Sequence, residues 1–378
     1  MQVEQSRWSQ TKGWTPTPSG KLLGNAQLVL LFGSPACIKH AAWQQDIRNA
    51  YPYAHYLGCS TAGEICDTEV TDETLVATAI AFEHTQVHGT SLKLSAVSGS
   101  FQAGEQLAKS LPHESLVHVL VLSDGQNVNG SELVAGLTQH LPAGVTVTGG
   151  LAGDGDRFQE TLVLWNAPPE PNIIAVIGLY GDRLKIGFGS FGGWDAFGPE
   201  RIVTRSAGNI LYELDGQPAL ALYKKYLGEH AKNLPASGLL FPLSLRNDTG
   251  DSVVRTILSI NDAEESLTFA GDLPRGGQVR LMKANFDRLI DGAMGAAQAS
   301  FETIGKTSPE LALLISCVGR KLVLKQRIEE EVEEVRDVLG QASTLTGFYS
   351  YGEISPFRPD AKSELHNQTM TITTLSEF

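Results

Sequence analysis

Three loops in this chain share one form, and each closes the same run of elements. Residues 58–65 read GCSTAGEI, residues 347–354 read GFYSYGEI, and residues 149–156 hold a looser copy, GGLAGDGD. In the first copy, AQLVLLFGS is a buried strand, CIKHAAWQQDIRNAY has apolar residues at helical spacing and stops before Pro52, and AHYLGCS runs into the loop. TLVATAIAFE and SLKLSAVSG follow as strands. The second copy repeats the order with LVHVLVLSDG, NGSELVAGLTQHL and VTVTGG, and the third with LALLISCVG, KLVLKQRIEEEVEEVRDVLG and STLTGFYSYGEI. The third helix stacks Leu324, Ile328, Val332, Val335 and Leu339 on one face and stops at Gly340. Repetition of a supersecondary unit constrains the fold more than any single motif does.

The pattern predicts a mixed α/β (α+β) protein: duplicated β-α-β-β units forming layered mixed sheets covered by helices, in two related lobes. Residues 1–24, with Pro and Gly among Thr and Ser, read as a loose N-terminal arm. A boundary falls near ELDGQP, giving regions 25–215 and 216–378. Between the second and third copies lies an atypical stretch that includes VVRTILSI and FAGDLPRGGQVRLM.

The loop glycines Gly58, Gly63, Gly150, Gly153, Gly347 and Gly352 let the backbone turn and reverse within a few residues. Gly63 and Gly352 are expected at positive φ or against a close backbone neighbour. Glu64 and Glu353 follow as acids at the loop exits. They either accept hydrogen bonds that lock the turn or face a cleft at the strand C-termini.

The net charge is −13, and both halves are acidic, which excludes an obvious surface for nucleic acid or anionic lipid. The N-terminus has no signal-peptide core, and no apolar run is long enough to span a bilayer. Cys37, Cys59, Cys66 and Cys317 are scattered, without metal-ligand or disulfide spacing, as in a reducing cytoplasm.

Several local motifs do not stand up. GFGSFGG contains G-x-G-x-x-G, but WDAFGP follows where a dinucleotide site needs a helix, so it reads as a strand with small residues. GKT at 305–307 lacks the first glycine of a P-loop. GCSTAG is not G-x-S-x-G, and Cys59 or Ser60 as a hydrolase nucleophile has no assignable His or Asp partner. The reading is therefore of a protein without catalytic residues.

One site is expected on topological grounds. Arg320 leaves the C-terminal end of one strand, the 347–353 loop leaves the end of the next, and a right-handed crossover puts both at one edge. His366 and Asn367 enter the following strand. A cleft lined by Arg320, Tyr349, Glu353, His366 and Asn367 follows, with Arg320 taking a ligand carboxylate and Glu353 an amine. The alternative is that Arg320 pairs with Glu353 or with another acid at the same edge.

The segments GCSTAGEI, GGLAGDG, FAGDLPRGGQVRLM, CVGRK, GFYSYGEISPF and LHNQTMTITTL occur in an order that resembles the FIST family of bacterial sensory proteins. The resemblance runs from residue 26 to the end. It implies a FIST N-terminal region up to about residue 215, a C-terminal region after it, a small-molecule ligand, and signalling through a separate partner protein. Some members, the NosP type, bind haem, sense nitric oxide and regulate a histidine kinase. On that alternative Arg320 takes a propionate and His366 is the axial ligand. Nucleic acid and membrane are not expected partners.

Overall fold

The computed structural model describes residues 1–246, 252–359 and 361–378. It is a mixed α/β protein of several mixed sheets, as the repeat predicts. In the first unit the strands His55–Ser60, Leu28–Gly33, Leu75–Ala81 and Gln2–Ser9 lie side by side. The second unit repeats this with Thr146–Leu151, Leu116–Ser123, Ile173–Tyr180 and Gln86–Lys93. The third has Thr344–Ser350, Leu311–Cys317, Met370–Glu377 and Leu184–Phe191. In each, the first two strands are parallel and the rest antiparallel. The registers agree as well: Leu31 pairs with Gly58, Val121 with Gly149, and Leu314 with Gly347.

Residues 1–24 are therefore not simply a loose arm. Gln2–Ser9 pairs along Leu75–Ala81 and occupies the place that Gln86–Lys93 and Leu184–Phe191 hold in the other units. Its polar composition concealed it, since this strand near the sheet edge is mostly half-buried, with only Ser6 and Trp8 fully buried. A second difference lies in the third unit's helix, which breaks into Val318–Leu324 and Ile328–Leu339 around Lys325 at φ 53°. A left-handed residue cannot continue an α-helix. The second piece starts with Glu329, Glu330 and Glu331 in its first turn, where the helix dipole favours acids, and stops at Gly340.

The short strand after each loop is handed to a neighbouring unit. Glu64–Cys66 pairs with Thr344–Ser350, Gly352–Pro356 with Thr146–Leu151, and Val163–Trp165 with His55–Ser60. The loops themselves close a ring. Gly153 N–H donates to Ser60 O (2.9 Å), Ala62 N–H to Tyr349 O (2.8 Å), and Tyr351 N–H to Leu151 O (3.2 Å). Each donor is the fifth residue of its loop and each acceptor the third, so the three loops form a closed cycle. Gly347 shows why glycine is needed before the ring: a Cβ there would run into the Leu314 carbonyl. Gly63 has φ 138° as expected. Gly352 departs from expectation, since it has no left-handed φ and is faced by the Leu151 and Leu365 side chains rather than backbone.

The inner faces of the three sheets share one core. Leu30, Phe32, Leu122, Ile177, Leu313, Ile315 and Phe348 belong to it, and the Phe32 and Phe348 rings stack at 4.7 Å. These strands are buried on both faces because helices cover the outside, which is why they read as continuous apolar runs. The GFGSFGG segment is a strand here. Gly187 and Gly189 lie against the Ser300 and Ala296 carbonyls, so the helix Phe286–Thr303 packs directly on it.

Between that strand and that helix, residues 195–283 build a separate antiparallel layer with its own core around Val203, Leu211, Leu245, Leu267, Phe269 and Val279. It packs against the second and third units, and its contact with them forms the seam described next.

Candidate ligand clefts

The five residues expected to line a cleft are all enclosed, each at most 2% exposed. Arg320 points inward and pairs with Glu331, not Glu353. Its Nε and Nη2 donate to Glu331 Oε2 at 3.0 and 2.7 Å, Nη1 to Gly192 O at 2.7 Å and Nη2 to Leu289 O at 2.5 Å. Glu331 Oε1 accepts from Ser316 Oγ (3.1 Å) and the Tyr349 hydroxyl (2.7 Å). Glu353 accepts from Ser350 Oγ (2.6 Å) and from Thr369 N and Oγ1 (3.2 and 3.0 Å). Burial pushes its carboxyl up to about 8. Glu64 is its counterpart in the first loop: it accepts from Thr61 and from Thr74 N and Oγ1, and burial pushes it up to about 7. The loop acids thus tie each loop to the start of the strand that follows.

His366 Nε2 donates to Ser355 O at 3.0 Å, and burial pulls its ring down to about 4. Asn367 Oδ1 accepts from Thr256 N at 3.4 Å. A haem axial ligand needs an imidazole nitrogen facing an apolar slot. His366 has its Nε2 engaged by backbone and Arg320 is spent on Glu331, so these residues do not fit the group. Cys59 and Ser60 are equally enclosed. Cys59 sits in the central core, where burial pushes its thiol up, and Ser60 Oγ accepts from Leu162 N at 2.9 Å. Neither is placed as a nucleophile.

Open clefts among the described residues were not anticipated: one of about 490 Å³ lies beside Trp8, Lys12, Cys37 and His40 at the first sheet's outer edge, and two others border the repeat units. The smaller, about 290 Å³, lies over the loop ring and is lined by Thr61, Glu64, Asp72, Glu73, Asp154 and Lys321 among others. Lys321 already closes it by donating to Ala62 O (2.8 Å) and to Asp72.

The larger, about 750 Å³, lies at the seam between the second unit and the antiparallel layer. The helix Gly130–His140 forms one wall through Ser131, Val134, Ala135 and Thr138. The other walls come from the strands Leu243–Arg246 and Ser252–Arg255, the 272–278 turn and residues 362–365. Its lining holds Arg246, Arg255, Arg275 and Lys362 against Asp272 and Glu364, so it is net positive in a chain of net charge −13. Arg246 pairs with Glu200 at 3.3 Å, while Arg275 and Lys362 are exposed. Arg255 is 7% exposed. Its guanidinium donates to the carbonyls of Leu365 (3.0 Å), Asp272 (3.3 Å) and Val254 (3.4 Å). Asp272 and Glu364 act on it only at longer range, and burial pulls it down to about 10. One sequence signal could have found it. Val253 and Arg255 share a face by the strand's period of two, so a charged side chain falls on an apolar face.

Comparison with known proteins matches the FIST N domain over residues 27–217 and the FIST C domain over residues 219–356. A relative in Methanocaldococcus jannaschii, described as uncharacterised, is 25% identical over 226 residues, covering 55% of this chain. The match spans 41% of that relative's own length. Among solved structures, a cyanuric acid hydrolase from A. caulinodans aligns over 100% of this chain and 99% of its own, with a TM-score of 0.37 and 8% identity. A likeness that weak says nothing of activity. No helix among the described residues is long and apolar enough to cross a membrane.

Proposed function

Because the chain belongs to the FIST family, whose domains are sensory modules that bind small ligands, we propose that it is a sensory protein whose ligand enters the seam cleft. The observation that carries this is the cleft's position. One wall is a helix of the FIST N region, and the others come from the FIST C region and from residues 362–365 beyond it, so a bound molecule would touch both regions. Ligand sites favour such junctions, and a volume of about 750 Å³ is in the range that takes a metabolite. A ligand bridging two packed layers favours one relative placement of them by its differential contacts. That shift is the signal, passed to a separate partner such as a histidine kinase.

The protein acts by binding, without chemistry of its own, and works in the cytoplasm, where four free thiols stay reduced. The working junction we propose is the seam itself, and the boundary between 25–215 and 216–378 falls inside the 195–283 layer that forms one side of it. The haem-sensing alternative is not taken up, since His366 and Arg320 are both engaged by the protein. Thermal unfolding of the purified protein against a metabolite panel tests the reading. At least one compound should raise the midpoint with concentration, as a ligand of the folded state must. A panel with no effect, together with no retained small molecule in the native mass spectrum, would count against it.

A further inference from the structure

Resting on that sensory reading, we propose that the seam cleft takes a small organic anion whose carboxylate or phosphate group sits against Arg255 and Ser131. Arg255 is the anchor. It is enclosed, and among the described residues its guanidinium meets backbone carbonyls and no carboxylate within ion-pair distance. A buried charge is ordinarily matched by an opposite charge, because the cost of removing it from water is otherwise uncompensated. Arg320 and Glu331 show that pattern in this same protein. Among the described residues Arg255 lacks such a partner, and it faces a cleft.

A second observation points to the same spot. Ser131 Oγ is buried and has no hydrogen-bond partner. A Cβ on Gly271 would lie 2.8 Å from Ser131 Oγ and 3.0 and 3.1 Å from Arg255 Nε and Cζ. The missing side chain at Gly271 therefore keeps open a point that both donors border. Around the mouth, exposed Arg275 and Lys362 extend the positive field outward, which suits a ligand with a second anionic group and raises its rate of entry. The cleft over the loop ring has the opposite character, with acids in excess and its lysine already engaged.

The test uses the full chain with inorganic phosphate, succinate and citrate as probes, read by calorimetric titration and thermal shift. Binding of at least one anion is expected, weakening as sodium chloride is raised. The exposed double variant Arg275→Glu/Lys362→Glu should weaken it at least tenfold without unfolding the protein, and Gly271→Ala should weaken it by filling the gap. Arg255→Lys, which keeps the charge but loses the fork, should bind more weakly than wild type. Failure of all three anions to bind, or equal affinity in the rim variant, overturns the inference. Spermidine and glucose serve as cationic and neutral probes. If one of them binds wild type and rim variant alike, the anion assignment falls and the sensory reading survives. No ligand of any charge, titrated or retained, overturns both.

Discussion

Arg320 donates to Glu331 at 2.7 Å with both side chains fully enclosed, and Glu353, the acid two residues past the ring residue Tyr351, is bound elsewhere. The ionic centre of the third unit thus holds its two helix pieces and two strands together rather than offering charge to a ligand. Removing one partner leaves the other buried and unpaired, at a cost of roughly 3–5 kcal/mol. Arg320→Ala and Glu331→Ala should each lower stability by that order in urea unfolding. The pair Arg320→Met/Glu331→Leu should recover part of the loss. Additive losses in the double variant would contradict the pairing.

The loop ring makes a threefold prediction. Gly58, Gly149 and Gly347 occupy one register position in three units, each against a carbonyl of the neighbouring strand. Alanine at each should destabilise by about 1–3 kcal/mol through overpacking, with similar size at all three. Thermal midpoints that move at one site and not the others would break the equivalence.

Glu353 and Glu64 give a pH signature. Burial raises both carboxyls, to about 8 and about 7, above their ordinary value of 4.5. The folded state then binds more protons than the unfolded state between about pH 4.5 and pH 8. Stability contributed by these groups is present at the acid end of that window and is lost as pH rises through it, by at most about 1.4 kcal/mol per pH unit for one proton. His366, lowered to about 4, acts in the opposite sense between pH 4 and its ordinary 6.5. The comparison is therefore made by variant. Glu353→Gln should gain stability relative to wild type between pH 5 and pH 8, because glutamine has no charge to bury. A difference independent of pH would show that Glu353 stays ionised throughout.

The N-terminal strand supplies the fourth test. Deleting residues 1–9 uncovers the outer edge of Leu75–Ala81. The truncated protein should melt lower and associate through that edge, which light scattering would detect. An unchanged midpoint and a monodisperse sample would mean that Gln2–Ser9 adds nothing to the sheet.

Much of this fold was legible because buried parallel strands announce themselves. LVLLFG, LVHVLVLS and LALLISC are apolar but for His118, Ser123 and Ser316, each is followed by a helix, and the glycine loops mark where the next strand ends. What was hidden depended on distance in sequence. Gln2–Ser9 is largely polar and only partly buried, next to the edge strand Gly13–Thr15, and the exchange of short strands between units leaves no local trace. The site failed for a related reason. Arg320 lies in the first helical turn after the strand Leu311–Cys317, and Glu331 comes eleven residues later, past a helix break at Lys325 that spacing did not reveal. The seam cleft joins a helix near residue 131 to strands beyond residue 243, so its residues never appear as one motif.

The seam is proposed to take the ligand, and the three loops to be structural. Hydrogen exchange measured with and without the ligand found in the binding screen tests it most directly. Slowed exchange is expected at 131–139, 272–278 and 363–365, with 58–65 and 347–354 equally protected in both states. Slowed exchange confined to 61–64, 154–157 and 318–322, with the seam unaffected, would contradict it and move the site to the loop ring.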